Sequence, residues 1–285
     1  MNPPHATPPA PPATPAQALR QAQTLGLARI DAQMLLLHCL GRSRHDRAWL
    51  IAHDDDPLPA PAAAAYAALC RRRAAGEPVA YLTGHKAFHG LDLAVDARVL
   101  DPRPDTETLV DWALECAHAL PQPRIADLGT GSGAIALALQ AALPAARLLA
   151  TDASAAALQV AQANARRLAL PVRFAQARWL VGVRGPFDLI VSNPPYIAAD
   201  DPHLAQLTHE PLSALASGAD GLDDIRTIAA QAPHCLTPGG WLLLEHGWNQ
   251  GEAVRGLLHA HGFAQVQTRR DLAGQERCSG GLWMG

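Results

Sequence analysis

The stretch ADLGTGSGAIALAL, residues 126–139, places three closely spaced glycines between a short apolar run and a helical pattern. Glycines at a strand-to-helix turn let the backbone turn tightly and approach a ligand closely. Gly129, Gly131 and Gly133 follow the spacing G-x-G-x-G, which differs from the G-x-G-x-x-G of dinucleotide-binding folds. The acid before them, Asp127, suits a cationic ligand better than a pyrophosphate. We call residues 129–133 the glycine loop.

The sequence around this stretch alternates short apolar runs with helical patterns. The pairs are RIADLG with GAIALALQAAL, ARLLATD with SAAALQVAQANARRLA, FDLIVSN with DIRTIAAQAPHCL after a long loop, and GWLLLEHG with QGEAVRGLLHAHG. This alternation predicts an α/β fold of Rossmann-like architecture, with helices on both faces of a parallel sheet. Ligands of such sheets bind at the carboxyl ends of the strands.

Asp152 ends the second of these apolar runs. An acid at this strand end is placed to hydrogen-bond the hydroxyls of a ribose. An isolated Asp here can instead cap a helix, but Ser154 is available to cap the following helix and leaves Asp152 for a ligand. A ligand with a ribose and a positive charge but no phosphate is S-adenosylmethionine. We therefore expect a methyltransferase in preference to a nicotinamide enzyme.

The stretch DLIVSNPPYIA, residues 188–198, sets Asn193 at the same sheet edge as the glycine loop. Each proline fixes its own φ, removes an N–H and restricts the residue before it, so the turn is stiff and offers acceptors. The Asn193 side-chain oxygen and the Pro194 carbonyl suit the two N–H bonds of a planar amino group, on which Tyr196 can stack. A rigid loop start is the structural alternative. We call residues 193–196 the proline turn.

These acceptors predict methyl transfer to an amide or exocyclic amine nitrogen. The lone pair of such a nitrogen is delocalised, so its hydrogens gain positive charge as it attacks, and fixed acceptors stabilise that charge in the transition state. In-line placement of nitrogen, methyl and sulfur supplies much of the remaining acceleration. No strong base is needed before the attack.

The chain is predicted to have four parts. A proline-rich start is typical of a disordered tail, apolar residues at three- and four-residue spacing predict helices, and alternation around a Gly-containing turn predicts a β-hairpin. The predicted parts are a tail over residues 1–15, a helical N-terminal domain over 16–78, a β-hairpin linker over 79–104 and a methyltransferase domain over 105–285.

The composition excludes several functional classes. The chain has 285 residues, 49% of them hydrophobic and 17% charged, which is enough for a sizeable core. A net charge of −3 does not favour direct nucleic-acid binding. The five cysteines and thirteen histidines are scattered, so we expect reduced thiols and no metal. The N-terminus lacks a basic region followed by an apolar one, so we expect no signal peptide, and no apolar run approaches the roughly 20 residues of a membrane span. We expect a cytoplasmic monomer.

Several segments together resemble the HemK/PrmC family, the bacterial methyltransferases that modify peptide chain release factors. They are ADLGTGSGAIALAL, IVSNPPYIAADDPHL, EPLSALASGADGL, GGWLLLEHGWNQGEAVR and, upstream, GEPVAYLTGHKAFHGLDLAVDARVLDPRPDTETLV. The motif N-P-P-Y alone is shared with adenine-N6 and other amino-group methyltransferases, and the segment containing PRPDTE discriminates better. The resemblance runs from about residue 76 to the C-terminus, and the helical domain fits it in kind.

The resemblance implies a class I S-adenosylmethionine-dependent methyltransferase fold and N5-methylation of the glutamine in the Gly-Gly-Gln motif of class I release factors, with S-adenosylhomocysteine as product. It implies that Trp179 lies near the adenine, and that the helical domain and hairpin help to dock the release factor. The expected cofactor-binding residues are Asp127, Gly129, Thr130, Gly131, Ser132, Gly133, Asp152, Trp179 and Asn193. The expected substrate-binding residues are Asn193, Pro194, Pro195 and Tyr196, of which Asn193, Pro194 and Tyr196 are the expected catalytic residues.

Two positions depart from the family pattern. Arg178 stands where an acid often precedes the aromatic residue, which removes an acidic contact to the adenine amino group. Asp101 stands where an aliphatic residue is usual, so its charge must reach solvent or Arg103. His246 matches a family segment, and we assign it to strand-end structure.

Two other functions remain as alternatives. A nucleic-acid amino-group methyltransferase of the adenine-N6 type fits the same pair of acceptors but normally needs a basic groove. A non-catalytic protein that docks on release factors is the second alternative, against which the intact N-P-P-Y motif and glycine loop argue.

Overall fold

The structure is a computed structural model that describes residues 13–285. It divides into two units, residues 13–84 and residues 85–285. A disordered tail was predicted for residues 1–15. Residues 1–12 of that range lie outside the described residues, and Pro15 is the first residue of a helix.

The smaller unit is helical. Its helices are α1 (Pro15–Thr24), α2 (Arg29–Cys39), α3 (Arg47–Ala52), α4 (Ala60–Ala74) and α5 (Val79–Thr83). The Thr14 side chain caps α1 by accepting the Gln17 N–H, and a core centred on the buried residues of α2 includes Leu36 and Tyr66. Helix α5 occupies part of the range assigned to the linker from the sequence and ends at Gly84, whose φ is +75°. The helical pattern therefore extends beyond residue 78.

The larger unit contains the hairpin and the sheet. Its strands are β1 (His85–Phe88), β2 (Leu91–Ala94), β3 (Arg124–Leu128), β4 (Arg147–Asp152), β5 (Arg173–Gln176), β6 (Phe187–Ser192), β7 (Leu236–Glu245), β8 (Ala264–Arg270) and β9 (Glu276–Trp283). Its α-helices are α6 (Glu107–Ala117), α7 (Ala134–Ala142), α8 (Ala155–Leu168), α9 (Asp223–Gln231) and α10 (Gly251–Ala260). Short 3₁₀ turns cover Pro104–Thr106, Pro202–Gln206, Leu212–Ala214 and Ala232–His234.

Seven strands form one sheet in the order β5-β4-β3-β6-β7-β9-β8. The pairs from β5 to β7 are parallel, whereas β9 is antiparallel to both β7 and β8. The α/β class is confirmed. The sequence reading did not include the antiparallel strand, because β8 and β9 lie after the last strand-and-helix pair and carry no helix between them.

Helices cover both faces of the sheet because successive side chains of a strand point to opposite sides. Leu242 packs in a cluster with residues of α9 and α10, including Ile225 and Leu258. The preceding residue, Trp241, meets Trp112 of α6 with ring centroids 6.1 Å apart. This arrangement buries the central strands on both sides, as their continuous apolar runs require.

The hairpin β1–β2 is confirmed and packs on α8 within the larger unit. The Asn164 side chain on α8 accepts the Ala94 N–H at 2.8 Å and donates to the Ala94 carbonyl at 2.9 Å. The same Asn164 amide donates to the Ser132 carbonyl at 3.0 Å. One buried side chain therefore connects the hairpin to the glycine loop.

The strand order reverses between β3 and β6. From β3 the chain proceeds outward to β4 and β5, and it then returns to place β6 on the other side of β3. In the parallel register Leu128 lies opposite Ser192, so the glycine loop and the proline turn leave the sheet side by side. Such a reversal opens a crevice at the carboxyl edge, where ligands of these folds bind. Among residues 13–285, no helix is long and apolar enough to span a membrane.

Candidate active site

A cavity of about 480 Å³ opens at this edge of the sheet. Eight predicted site residues line it: Gly129, Thr130, Gly131, Ser132, Asp152, Trp179, Asn193 and Pro195. Four others lie outside its lining: Asp127, Gly133, Pro194 and Tyr196. The structure thus brings together residues at or just after the carboxyl ends of four parallel strands, β3 to β6.

The glycine loop is shaped by left-handed backbone and by one carboxylate. Gly131 has a φ of +56°, which an L side chain adopts at a cost, and its N–H donates to Asp152 Oδ2 at 2.9 Å. Gly129 lies against the indole of Trp179, where a Cβ would come within 3.1 Å of the ring. Both positions therefore need glycine for conformation, since Gly129 has a φ of +71°, and Gly129 also needs it for space.

Asp127 has a different place from the one predicted. It is fully buried beneath the glycine loop, where its Oδ2 accepts the Thr130 hydroxyl at 2.6 Å and the Ala136 N–H at 3.1 Å. Burial raises the pKa of Asp127 to about 7, and its Oδ1 has no hydrogen-bond partner within residues 13–285. Asp127 fixes the start of the loop and presents no surface to the cavity, because β3 directs it inward.

Asp152 does line the cavity. Its carboxylate accepts the N–H groups of Gly131 and Ser154, at 2.9 Å and 2.8 Å. Ser154 caps α8 with its own side chain, which accepts the Ala157 N–H. The predicted Ser154 cap is therefore present, and a ligand contact by Asp152 stays a prediction.

Trp179 forms one wall of the cavity in a strained conformation. Its φ is +54°, a value that is uncommon for a bulky residue and that concentrates at functional sites. The indole N–H donates to Asp224 Oδ1 at 3.0 Å, and Ser217 donates to the other oxygen of Asp224 at 2.8 Å. Arg178 is 74% exposed and lies 3.7 Å from Asp224. The acid beside Trp179 thus comes from α9, not from position 178.

The proline turn presents acceptors. Asn193 Nδ2 donates to Thr106 Oγ1 at 3.1 Å, and Asn193 lines the cavity. Within residues 13–285, neither Asn193 Oδ1 nor the Pro194 carbonyl accepts a hydrogen bond. Pro195 lines the cavity wall beside them. Two unpaired acceptors therefore stand together in the proline turn.

Tyr196 lies behind the turn, where its ring packs against the core. Its hydroxyl donates to Glu245 Oε1 at 3.4 Å, and burial raises the Tyr196 pKa. Glu245 is fully buried at the end of β7. Burial raises the pKa of its carboxyl to about 7, although the Thr106 and Tyr196 hydroxyls and the Arg277 charge lower that pKa in part. The predicted stacking of Tyr196 on a substrate stays a prediction.

Asp101 is buried and paired. Lys86 Nζ lies 3.0 Å from its carboxylate, and Arg103 lies 3.7 Å away. Arg103 also donates to Glu210 at 2.6 Å, and Glu210 accepts the Asp101 N–H. Arg103 was expected from the sequence, whereas Lys86 replaces the solvent contact because the hairpin brings it to this position.

His246 belongs to the strand end, as expected. It is fully buried, with Nδ1 2.9 Å from the Gly247 carbonyl and Nε2 2.8 Å from Ser279 Oγ. Burial lowers the His246 pKa. These contacts give His246 a structural role away from the cavity.

Three residues of the site were not identified from the sequence: Thr106, Asp224 and Glu245. Thr106 and Glu245 lie in quoted segments, PRPDTE and LLLEHG, but nothing local shows that they converge. Asp224 was visible only as one of two acids in the first turn of a helix, the common position of a dipole-stabilising acid. A polar residue at the carboxyl end of a strand is the one signal that could have pointed to Glu245.

Two family models match the chain. Residues 15–84 match the PrmC N-terminal domain, and residues 111–261 match the methyltransferase small domain. A release factor glutamine methyltransferase of Xylella fastidiosa strain Temecula1 is 53% identical over 268 residues, which are 93% of this chain and 96% of that protein. The chain belongs to the release factor glutamine methyltransferase family. The family members of Bordetella pertussis and Salmonella typhimurium are 52% and 44% identical to it, over 90% and 93% of this chain and 95% and 96% of their own.

Solved methyltransferases share the fold of this family member. A methyltransferase of Pyrococcus furiosus superposes with a TM-score of 0.52 at 20% identity, over 70% of this chain and 92% of its own. A Thermus thermophilus 16S rRNA N2 G1207 methyltransferase, determined with AdoMet and guanosine, gives a TM-score of 0.52 at 18% identity, over 70% of this chain and 49% of its own. At these identities the likeness establishes the class I methyltransferase fold.

Proposed function

We propose that this chain transfers a methyl group from S-adenosylmethionine to the side-chain amide nitrogen, N5, of the glutamine in the Gly-Gly-Gln motif of class I peptide chain release factors. The observation that carries the proposal is the pair of unpaired acceptors, Asn193 Oδ1 and the Pro194 carbonyl, in the turn beside a cavity in a chain of this family. A primary amide has the two N–H bonds that such a pair recognises.

The cavity suits the cofactor. Its volume lies within the range of small-molecule sites, and it combines the Asp152 carboxylate, the open backbone of the glycine loop and the indole of Trp179. Asp152 would hold the ribose hydroxyls, residues 129–132 would lie along the methionine part, and Trp179 would contact the adenine. S-adenosylmethionine supplies an electrophilic methyl group and leaves as S-adenosylhomocysteine.

The acid predicted to be missing beside Trp179 has a replacement. Asp224 lines the same cavity and bonds the indole N–H. Asp224 therefore fixes the Trp179 ring. Its negative charge takes the place of the acid that family members often carry at position 178. This contact supports retention of adenine binding despite the departure at Arg178.

The proline turn would act on the glutamine amide. Asn193 Oδ1 and the Pro194 carbonyl would accept its two N–H bonds and orient the nitrogen toward the methyl donor. As the new bond forms, the hydrogens of that nitrogen become more positive, and fixed acceptors stabilise the transition state more than the ground state. Tyr196 would support the turn from behind through Glu245.

The partner in this proposal is a class I release factor, and the protein would act on it as a monomer in the cytoplasm, where translation ends. A net charge of −3 supports a protein substrate over direct binding to a phosphate backbone. The helical unit and the hairpin are the proposed docking elements for the release factor.

The test is incubation of the full chain with methyl-labelled S-adenosylmethionine and a release factor, its Gly-Gly-Ala variant, or RNA and DNA. We expect label on the unmodified release factor alone. Label on nucleic acid would instead assign the chain to amino-group methylation of bases. Cofactor binding without transfer to any of these would support a docking protein without catalytic activity.

A further inference from the structure

Behind the proline turn, three side chains from distant parts of the chain meet. Thr106 comes from the 3₁₀ turn before α6, Tyr196 from the proline turn itself and Glu245 from the end of β7. Asn193 Nδ2 donates to Thr106 Oγ1 at 3.1 Å, and the Tyr196 hydroxyl donates to Glu245 Oε1 at 3.4 Å. The Thr106 hydroxyl lies close enough to the Glu245 carboxyl to lower its pKa. Together with Asn193, these side chains form one polar cluster.

This cluster bears on the orientation of the Asn193 side-chain amide. An asparagine amide has an acceptor at one end and a double donor at the other, and the two orientations have nearly the same shape. A substrate –NH₂ group can be bound only if the acceptor faces it. Because Nδ2 of Asn193 donates to Thr106, Oδ1 is left without a partner among the described residues.

The direction of the Asn193–Thr106 bond depends on the Thr106 proton. A hydroxyl has one proton, and if it pointed at Asn193 it would bind Oδ1 and turn the amide around. The Glu245 carboxyl is a second acceptor near the Thr106 hydroxyl, which lowers the pKa of that carboxyl. With the proton directed to Glu245, the Thr106 oxygen faces Asn193 as an acceptor.

Water has little access to these side chains and cannot readily replace their contacts. Thr106 is 4% exposed and Glu245 is 0% exposed. The second oxygen of Glu245, Oε2, has no hydrogen-bond partner within residues 13–285. A buried carboxyl with an unpaired oxygen costs stability, so packing alone does not account for an acid at position 245.

We propose that Thr106 and Glu245 are positioning residues that fix the polarity of the Asn193 amide, so that its oxygen faces the substrate nitrogen. Glu245 also holds the second side chain of the turn, Tyr196, through the same carboxyl. The inference rests on the proposed function, because the required polarity follows from a substrate that donates two hydrogen bonds.

The test compares Thr106→Val, Thr106→Ser and Glu245→Gln in the full chain. Valine keeps the shape of threonine without its hydroxyl, and serine keeps the hydroxyl. The matched control is Thr237→Val, which removes a hydroxyl bonded to the Phe187 carbonyl at the opposite end of β7. For each variant, kcat and KM with the release factor are measured, together with the cofactor Kd by calorimetry.

Thr106→Val is expected to lower kcat about 10- to 100-fold, the size of one lost hydrogen bond in a buried network. Its cofactor Kd and the KM for the release factor should stay within about threefold of wild type, and Thr106→Ser should restore most of the rate. Glu245→Gln should also lower kcat, because an amide can present a donor to Thr106 and so turn the Thr106 proton toward Asn193. Thr237→Val should leave kcat unchanged.

A second readout needs no turnover. The side-chain amide ¹⁵N–¹H signals of Asn193, assigned by their loss in Asn193→Asp, should shift in Thr106→Val and return in Thr106→Ser. A folded Thr106→Val with wild-type kcat, unchanged amide signals, or a loss in kcat matched by weaker cofactor binding would overturn the inference. Wild-type protein that transfers nothing to the release factor, with amide signals behaving as expected, would overturn the proposed function instead.

Discussion

The glycine loop after β3 and the proline turn after β6 lie side by side at one edge of the sheet, yet they are held in different ways. The glycine loop is supported by residues nearer in sequence: Asp127 below it, Asp152 at the next strand end and Asn164 on α8. The proline turn is supported from afar, by Thr106 and Glu245. The first arrangement shapes a backbone around a ligand, and the second orients one side chain.

This difference separates two kinds of site. A backbone cradle needs conformational freedom and local hydrogen bonds, which a short motif encodes. A side chain that must present one particular atom needs neighbours on several sides, and those neighbours come from wherever the fold brings them. The two regions should therefore respond differently to substitution, the turn in the rate of transfer and the loop in cofactor affinity and stability.

The largest effect is expected at the proline turn itself. Asn193→Ala removes an acceptor from the developing charge and should lower kcat about 100- to 1000-fold, while the cofactor Kd changes little. The measurement is steady-state transfer to the release factor with calorimetry of cofactor binding. Asn249→Ala, at an exposed position after β7, is the control and should match wild type. If the cofactor Kd rises by as large a factor as kcat falls, Asn193 acts mainly in cofactor binding and not on the substrate.

Beneath the glycine loop, Asp127→Asn should change how stability depends on pH. Burial raises the Asp127 pKa to about 7 from 3.8, so the folded state holds its proton to higher pH than the unfolded state, and this group's contribution declines as pH rises from about 4 through 7. Asparagine keeps an acceptor for Thr130 and Ala136 and does not ionise. Relative to wild type, the variant should gain roughly 2 to 3 kcal/mol of unfolding free energy between about pH 5 and about pH 8.

Urea unfolding at both pH values measures this gain. Glu245, whose pKa is also raised to about 7, is present in both proteins and cancels in the difference. Parallel stability curves for variant and wild type would show that Asp127 is ionised in the folded protein and paired more strongly than its contacts indicate.

At the edge of the cavity, Asp152→Ala should weaken cofactor binding about 10- to 100-fold, the range for a hydrogen bond to a charged group. The rate at saturating cofactor should fall much less, because in the proposed function Asp152 contacts the ribose and not the reacting atoms. Calorimetry with S-adenosylhomocysteine gives the affinity directly. The control is Asp220→Ala, which breaks an exposed ion pair with Arg226. Equal Kd values for the two variants would remove Asp152 from the binding site.

The same contrast explains how much the sequence predicted. The α/β class, the glycine loop and the Asn193 turn follow from period, glycine spacing and proline chemistry, all of which are local. Asp127 was predicted to contact the cofactor, because its position in the sequence does not show whether its carboxylate points into the cavity or into the core. The inward direction of Asp127 became evident only with the packed helix α7, whose Ala136 N–H it accepts.

The partners of the proline turn could not be predicted for a related reason. Thr106 and Glu245 are far from Asn193 in sequence, and each has an ordinary local explanation, a helix start and a strand end. Their meeting depends on the order in which β6 and β7 pair and on where α6 packs. Likewise, Lys86 was not predicted as a partner of Asp101, because their contact depends on how the hairpin packs within the larger unit.

The smallest effect is expected from backbone conformation in the glycine loop. At Gly131 a Cβ would meet no atom within 4 Å, so Gly131→Ala tests the left-handed φ of +56° alone. It should lower the unfolding free energy by about 1 to 2 kcal/mol. The control, Gly256→Ala in α10, has equally open surroundings in a helix and should raise it by about 0.5 to 1 kcal/mol. Opposite signs in urea unfolding would show that the loop stores strain which only glycine relieves, whereas equal shifts would mean that the loop relaxes to a conformation open to any residue.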